Sequence, residues 1–481
     1  MSRLSKPHPQ AIVVFGASGD LTARKLAPAL YNLFEQDLLP DDFAIIGYSR
    51  SPMSDDEFRG RIKKAINNNS RCELTSGWDK FARRLRYVSG DYFQSDCMHH
   101  LSVELKKVDE ELGTGGGRLF YCATPPEAFP EIARRIGEAG LAEGSRIVVE
   151  KPFGTDGASA VELNRVLHEV FEERQIFRID HYLGKETVQN ILVFRFSNGM
   201  FEPIWDRRYI SSVQIDVAEE VGIGMRAAFY EGAGAVRDIV QNHMMQLLAI
   251  LAMEPPASFD AESIRDEKVK LLRAISPVDP NDVVRGQYLE GQINGEEVTG
   301  YRQEADVAED SITETYIALK MYIENWRWAR VPIFLRTGKR LPKRTTTITV
   351  VFHDAPHLLF EQPGMQRPEP NHITIRVQPN EGITLTFDAK VPGPEMTVAP
   401  VEMDFSYDES FMTEPGEAYE RLIHDVMHGD ATLFTRADEI EQSWKVMEPL
   451  LERTPPEFYP AGTWGPAKAE ELIKPGCWYV R

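Results

Sequence analysis

Five short apolar runs in the first part of the chain alternate with stretches whose apolar residues recur at helical spacing. The runs have strand length and lie at 11–15, 43–48, 86–89, 118–122 and 146–149. Helical spacing is found at 24–34, 101–112 and 128–136, and a further short run at 176–177 precedes a helical stretch at 186–194. Buried strands that alternate with helices are typical of a doubly wound parallel sheet, so the pattern predicts an α/β fold here.

The pattern changes after Ile210. Residues 211–218 alternate as a half-exposed strand, and further strands are expected at 348–352, 372–377 and 383–387, the last two forming a hairpin. Helices are expected at 235–252, 418–427 and 438–451, and the proline-rich chain after Arg453 is expected to be irregular. This half is predicted to be α+β, with a large, mostly antiparallel sheet and helices on one face.

A glycine turn directly follows the first apolar run. Its residues are Gly16, Ala17, Ser18, Gly19, Asp20 and Leu21, and a helical stretch comes next. Glycines let a backbone approach a pyrophosphate, and the amino end of the following helix faces that group. The turn departs from the strict three-glycine fingerprint, so an ordinary strand-to-helix turn is the alternative at this point.

The second strand ends at Arg50. NAD enzymes usually place an acid at this position for the ribose hydroxyls, whereas an arginine suits the 2′-phosphate of NADP. Ser54 and Glu57 follow with the spacing of a capping box, which predicts the start of the next helix. The sequence therefore favours NADP as cofactor.

Two polar segments follow later strands. Glu150-Lys151-Pro152-Phe153-Gly154 leaves the fifth strand at the sheet edge where doubly wound sheets bind ligands, which puts Lys151 between cofactor and substrate. The segment 178–186 places Asp180, His181, Tyr182 and Lys185 between a strand and a helix start. Backbone N–H groups, the helix dipole and the two basic side chains favour an anionic ligand there. A solvated helix cap with a surface salt bridge is the alternative.

Three clusters in the second half could carry chemistry. Glu219 and Glu220 end a strand, and Asp238 and His243 lie on a helix about one and a half turns apart. Residues 336–344 form the densest basic loop of the chain. Each cluster alone is more often structural, but together with a dinucleotide site they outline an oxidoreductase that acts on a phosphorylated substrate.

Composition restricts the classes of partner. The net charge of −20 argues against a general nucleic-acid or anionic-membrane surface, so a phosphate site must be a local basic pocket. No apolar run has the length of a membrane span, and residues 1–7 lack the apolar segment of a signal peptide. The cysteines have no paired spacing, which predicts reduced thiols in a cytoplasmic protein and no metal site: Cys72, Cys97, Cys122 and Cys477.

Taken together, the motifs resemble those of glucose-6-phosphate dehydrogenases, from about Val14 to about Trp444. They are the glycine turn, the segments 150–154 and 178–186, and the segments 241–243, 284–288, 375–381 and 418–422. The segment 178–186 is highly specific to this family. The resemblance implies oxidation of D-glucose 6-phosphate to 6-phospho-D-glucono-1,5-lactone, with hydride transfer from C1 to NADP, as the first step of the oxidative pentose phosphate pathway. It also implies a homodimer or homotetramer.

The resemblance also implies the site residues. His243 matches the catalytic base and Asp180 its partner. Substrate contacts match Lys151, His181, Tyr182, Lys185, Glu220, Asp238, Lys339 and Arg344. Cofactor contacts match Gly16, Ala17, Ser18, Gly19, Asp20, Leu21, Arg50, Asp91, Tyr92 and Lys151. The chain is accordingly predicted to hold a Rossmann-like dinucleotide-binding domain at 1–180 and an α+β substrate and oligomerisation domain at 181–481.

Two other functions share parts of this pattern. A sugar oxidoreductase of the glucose–fructose type also carries a Glu-Lys-Pro turn, but it would not need His181, Lys185 and the basic segment around Lys339 together. A non-enzymatic NADP sensor on the same fold would not need His243 and Asp180. Both sets of residues are present, which favours the dehydrogenase.

Overall fold

The computed structural model describes residues 6–94, 97–357, 369–411 and 416–480, which form two compact units. The first comprises residues 1–184, 256–265 and 416–441, and the second comprises 185–255, 266–415 and 442–481. The domain division predicted between residues 180 and 181 stays a prediction. None of the helices in the described part of the chain has the length and hydropathy needed to cross a membrane.

The first unit is built on a six-stranded parallel sheet. Its strands are β1 (Gln10–Phe15), β2 (Phe43–Ser49), β3 (Leu85–Ser89), β4 (Arg118–Cys122), β5 (Ser145–Glu150) and β6 (Ile176–Ile179). They lie in the order β3-β2-β1-β4-β5-β6, and every neighbouring pair is parallel. The central strands β1, β2 and β4 are buried along their whole length, as expected of a sheet covered on both faces. The doubly wound parallel sheet is confirmed.

The described residues contain fourteen α-helices. They are α1 (Ala27–Glu35), α2 (Asp55–Asn69), α3 (Trp78–Ala82), α4 (Cys97–Leu112), α5 (Phe129–Glu138), α6 (Gly157–His168), α7 (Glu186–Phe196), α8 (Ala227–Ala235), α9 (Met245–Ala252), α10 (Ala261–Arg273), α11 (Tyr407–Phe411), α12 (Ala418–His428), α13 (Ala437–Met447) and α14 (Lys468–Leu472). Two π-helices, Thr22–Leu26 and Val236–Met244, lead directly into α1 and α9. The predicted capping box starts α2: Ser54 Oγ accepts a hydrogen bond from Glu57 N at 3.3 Å, and Glu57 Oε2 accepts one from Ser54 N at 2.7 Å.

The second unit contains a nine-stranded, mostly antiparallel sheet. Its strands are β7 (Ile210–Ala218), β8 (Val283–Leu289), β11 (Tyr316–Met321), β12 (Ile333–Gly338), β13 (Thr345–Phe352), β14 (His372–Gln378), β15 (Gly382–Lys390), β16 (Val398–Ser406) and β17 (Glu457–Pro460). A separate small hairpin joins β9 (Gly291–Ile293) to β10 (Glu296–Val298). The sheet order is β16-β15-β14-β13-β7-β12-β11-β8-β17, with parallel pairs only at β7–β12 and β8–β17. The predicted β14–β15 hairpin is confirmed, and Asn380 in its turn has φ 55°.

Two predictions about this unit are wrong. The chain after Arg453 is not irregular, because β17 extends the sheet beside β8 and α14 follows it. A four-residue edge strand that ends in Pro460 has no local signal, since only the pairing with β8 makes it a strand. Likewise, Arg336 to Gly338 belong to β12 rather than to a basic loop, and Arg336 forms a buried ion pair with Asp216 (2.5 Å).

Candidate active site

The glycine turn of the first unit is held against the ends of two strands. Gly16 N and Ala17 N both donate to Tyr48 O, at 2.9 and 3.2 Å, and Gly19 N donates to Gly16 O at 2.8 Å. Gly16 has φ +82°, and a side chain there would collide with the carbonyl group of Ala123. The π-helix Thr22–Leu26 follows at once, so a compact backbone turn and a helix start meet at the carboxyl end of β1. This arrangement fits a pyrophosphate.

Arg50 lies just beyond β2, and its side chain is exposed. Burial raises the pKa of Tyr92, the charge of Arg50 lowers it, and Asp91 raises it, so the three predicted cofactor residues lie near one another. They follow the neighbouring strands β2 and β3, which pair in parallel up to Ser49 and Ser89. An exposed guanidinium in place of an acid at this strand end fits the 2′-phosphate of NADP.

The ends of β5 and β6 bring Lys151 and Asp180 to one edge of the sheet, because Glu150 pairs with Ile179. Asp180 is buried, and its Oδ1 accepts a hydrogen bond from Tyr182 N at 3.0 Å. His181 is half-buried, and its ring meets that of Tyr182 edge-on at 5.1 Å between centroids. The predicted catalytic carboxylate and two predicted phosphate contacts therefore occupy one short loop.

Glu150 was not predicted as a site residue, although it belongs to the 150–154 motif. Tyr121 Oη donates to its Oε1 at 2.6 Å. Burial raises the pKa of Glu150 to about 7; hydrogen bonds from Tyr121 and Tyr419 and the charge of Lys151 oppose that shift, and Asp180 adds to it. A carboxyl group that titrates near neutrality thus lies beside Lys151 and Asp180. Only the folded structure could identify it, because its tyrosine partners come from β4 and α12.

Arg178, at the start of the most specific motif, is part of the scaffold. Its side chain is completely buried; Nη1 contacts Glu173 Oε1 at 2.7 Å and Nη2 donates to Asn164 Oδ1 at 2.9 Å. At the other end of the loop, Gly184 packs against α12, where an added Cβ would lie 2.8 Å from Ala418 O. Both ends of the Asp180–Tyr182 loop are therefore fixed by packing.

In the second unit, two basic side chains meet one amide oxygen. Lys185 Nζ donates to Gln378 Oε1 at 2.8 Å, and Arg344 Nη2 donates to the same atom at 3.4 Å. Lys185 is also the N-cap residue of α7, so the helix start adds its backbone N–H groups to the two cations. This group of donors can bind a phosphate. Gln378 was missed as an individual residue, although it lies in the 375–381 motif.

A buried charge cluster surrounds the helix that carries Asp238 and His243. These side chains are 5% and 1% exposed. Lys339 Nζ lies 2.6 Å from Glu219 Oε2, 3.9 Å from Asp238 Oδ2 and 5.0 Å from the ring centre of Tyr230. Lys339 therefore pairs with Glu219, whereas the predicted contact Glu220 accepts a hydrogen bond from Asn294 Nδ2 at 2.5 Å.

This helix is a π-helix, Val236–Met244, which the sequence pattern did not predict. In a π-helix, backbone hydrogen bonds join residues five apart, as Met245 N and Val240 O are here. Asp238 and His243 have the same spacing, so they are closer to one helical turn apart than to the predicted one and a half turns. π-Helices are frequent at functional sites. Asp180 belongs to the first unit and His243 to the second, and their pairing stays a prediction.

Comparisons with known proteins agree over nearly the whole chain. Residues 13–190 match the model of the glucose-6-phosphate dehydrogenase NAD binding domain, and residues 192–478 match that of the glucose-6-phosphate dehydrogenase C-terminal domain. Glucose-6-phosphate 1-dehydrogenase 2 of Mycobacterium bovis is 45% identical, over 97% of this chain and 93% of its own. The Chlamydia muridarum glucose-6-phosphate 1-dehydrogenase is 46% identical, over 97% and 95%. A solved glucose-6-phosphate dehydrogenase in complex with its substrate glucose 6-phosphate is 35% identical, with a TM-score of 0.91 over 99% of this chain and 100% of that one.

Proposed function

The chain belongs to the glucose-6-phosphate dehydrogenase family, and we propose from this membership that it oxidises D-glucose 6-phosphate at C1 to 6-phospho-D-glucono-1,5-lactone. NADP, when bound, accepts the hydride. The observation in this structure that most supports a phosphorylated substrate is the meeting of Lys185 and Arg344 on Gln378 Oε1. In a chain with a net charge of −20, two cations beside a helix start are well suited to hold a phosphate.

His243 is the proposed base. The C1 hydroxyl cannot release hydride readily while it keeps its proton, so a base must take that proton as the C–H bond breaks. An imidazole is suited to this near neutral pH, and the Asp180 carboxylate is its proposed partner, which orients the ring and stabilises the imidazolium. Asp180 is itself held by Tyr182 N, which supports a fixed rather than a mobile carboxylate.

The sugar and its phosphate are assigned to separate groups. His181, Tyr182, Lys185 and Arg344 are proposed to bind the phosphate, because each of these side chains can donate a hydrogen bond to it. The proposed ring-hydroxyl contacts are Glu220 and Asp238, with Lys339 as a further substrate contact. Lys339 is held in place by Glu219, so the ammonium group is oriented before any sugar binds. Lys151, at the end of β5, is the proposed contact with both substrate and cofactor.

The proposed cofactor contacts are the residues 16–21 of the glycine turn, Arg50, Asp91 and Tyr92. The turn lets a pyrophosphate approach the backbone closely, the start of the following helix faces it, and Arg50 provides a cation for the 2′-phosphate. Because an arginine stands where NAD enzymes have an acid, NADP is the expected cofactor.

The function can be tested by absorbance at the reduced-nicotinamide band. Glucose and glucose 6-phosphate are each supplied with NAD and with NADP, and turnover is expected to be highest with glucose 6-phosphate and NADP. Equal turnover of free glucose would favour the glucose–fructose type of enzyme. Binding of NADP without turnover of either sugar would favour a sensor.

The compartment and the assembly are part of the same proposal. Three described cysteines, Cys72, Cys122 and Cys477, are free thiols, which supports a reducing, cytoplasmic environment. A homodimer or homotetramer is proposed from family membership. Light scattering of the purified protein at several concentrations would measure the oligomer.

A further inference from the structure

The helix that carries Asp238 and His243 begins at a kink. Gly234, near the end of α8, has φ 63° and ψ −179°, and the π-helix Val236–Met244 begins two residues later. These angles are outside the helical region, so the hydrogen-bonded run of α8 does not continue through Gly234. The first N–H groups of a helix have no partners within it, and acceptors outside the helix must bind them.

Glu314 supplies two of those acceptors. Its backbone carbonyl accepts a hydrogen bond from Ala235 N at 3.1 Å, and its carboxylate Oε1 accepts one from Val236 N at 3.2 Å. A carboxylate at the amino end of a helix also interacts favourably with the helix dipole. Gly234 leaves the space that this contact needs, because an added Cβ would lie 2.8 Å from Glu314 Cδ.

The other carboxylate oxygen of Glu314 faces Arg285. Arg285 Nη1 lies 3.7 Å from Glu314 Oε2, and the two side chains are 8% and 2% exposed. Arg285 is anchored in turn, since its Nη2 donates to Leu450 O at 2.7 Å and to Glu452 O at 3.2 Å. It lies on β8 opposite Ile317 of β11. The charge of Glu314 is therefore compensated by a residue held on the sheet.

Glu314 also belongs to the buried charge cluster around Asp238. Burial, followed by the charges of Asp238, Glu314 and Glu219, raises the pKa of Tyr230 well above its ordinary value. The ring of Tyr230 lies against Lys339 Nζ, which contacts Glu219 and Asp238. A shift of the helix start would therefore displace Asp238 relative to Lys339.

We propose that Glu314 is a positioning residue of the reaction: it fixes the amino end of the helix Val236–Met244, with Arg285 as its counter-ion, and so orients Asp238 and His243. It acts through the helix and does not touch the substrate. This role rests on the proposed function, because it takes His243 as the base.

The test compares Glu314→Ala with Glu314→Gln. The alanine removes the side-chain cap, and we expect kcat with glucose 6-phosphate to fall by about fivefold to tenfold, the size of a lost helix cap. KM for NADP should stay within about twofold, because the proposed NADP contacts lie elsewhere in the chain. Glutamine keeps an oxygen that can accept from Val236 N, so it should restore kcat to within about threefold of the wild type.

Glu254→Ala is the matched control. It removes a carboxylate that also binds an arginine of the second unit, Arg327, with Oε1 accepting from Nε at 3.0 Å. The Glu254 side chain is 37% exposed against 2% for Glu314, so we expect a smaller loss of thermal stability, with wild-type kcat per folded enzyme. If Glu314→Ala yields too little folded protein, Glu314→Asp replaces it, since the shorter side chain keeps the charge but does not reach Val236 N.

Two results would overturn the positioning role. One is wild-type kcat per folded enzyme in the Glu314→Ala or Glu314→Asp variant, and the other is an equal loss of kcat in the Glu254→Ala control. A wild-type enzyme that does not oxidise glucose 6-phosphate at all would instead overturn the proposed function, so the two failures are distinguishable.

Discussion

Most of the proposed site residues at the ends of β1 and β2 are exposed or half-buried, whereas those on the helix Val236–Met244, and Lys339 beside it, are buried. In the first region, Gly19 is half-buried and Asp20 and Arg50 are exposed. In the second, Asp238, His243 and Lys339 are 5%, 1% and 1% exposed and belong to a network of ion pairs and helix contacts. Exposed contacts can therefore be removed one at a time, whereas the buried groups depend on one another.

Substitutions in the two regions should therefore have different effects. A substitution in the exposed region should change the affinity for one ligand and leave folding intact. A substitution in the buried region should change turnover and thermal stability together, because a buried polar side chain that loses its partners is costly.

His243→Asn should have the largest effect. Asparagine is polar and of similar reach but cannot accept the proton productively, so kcat should fall by roughly the 10²–10⁴-fold typical of a lost positioned base. The affinity for glucose 6-phosphate should remain, because the proposed phosphate contacts are other residues. Steady-state kinetics and a pH–rate profile measure this, with His372→Asn, a buried histidine of β14, as the control.

Asp180→Asn tests whether the two proposed catalytic residues act as a unit. It should lower kcat as well, and the double variant should lose less than the product of the two single losses. Near-normal turnover of His243→Asn would contradict the mechanism. Strictly multiplicative losses would contradict the pairing.

Lys185→Ala should have the next largest effect. Removing a charge-assisted contact costs about 1.5–3 kcal/mol, which corresponds to a rise of about 10-fold to 100-fold in KM for glucose 6-phosphate. KM for NADP should not change, and the discrimination against free glucose should weaken. Lys445→Ala, an exposed lysine of α13, is the control. Unchanged preference for the phosphorylated sugar would remove Lys185 from the phosphate site.

Glu150→Gln tests the titration of a buried carboxyl group in the first unit. The pKa of Glu150 is about 7 in the folded protein against an ordinary 4.5, so the folded state binds this proton more tightly than the unfolded state. Its stabilising contribution is full below about pH 4.5 and is lost as the pH rises through about 7. Relative to the glutamine variant, the wild type should lose about 1–3 kcal/mol of unfolding free energy between pH 5 and 8.

Urea unfolding at several pH values measures this difference. Glu143→Gln changes an exposed glutamate of the same unit and should follow the wild type at every pH. Parallel curves for the wild type and Glu150→Gln would mean that Glu150 titrates normally.

Arg50→Ala should have the smallest effect, confined to one ligand. The loss of a charge-assisted contact should raise KM for NADP by about tenfold, while KM for NAD changes little. The melting temperature should stay at the wild-type value because the side chain is exposed. Arg174→Ala, another exposed arginine of the first unit, is the control. An equal loss with both cofactors would refute the role of Arg50 in cofactor choice.

Local patterns were sufficient for much of the fold. Apolar runs and helical spacing predicted every strand of the six-stranded sheet, because each strand is a short, fully or largely buried segment bounded by turns. The capping box of Ser54 and Glu57 was readable because both partners lie within one helical turn. The motif residues could also be identified from the sequence, since each belongs to a continuous segment.

Contacts between segments far apart in the chain could be identified only from the tertiary structure. Glu314 is 78 residues from Val236, so no window of sequence connects it to the helix it caps. Lys339 pairs with Glu219 rather than Glu220 across 120 residues, and β17 is a strand only because β8 lies beside it. The sequence determined which elements and which chemical groups are present, because periodicity and motifs are local. Packing decided which groups are partners, because a buried polar atom without a partner costs free energy and the fold determines which donors and acceptors lie within reach.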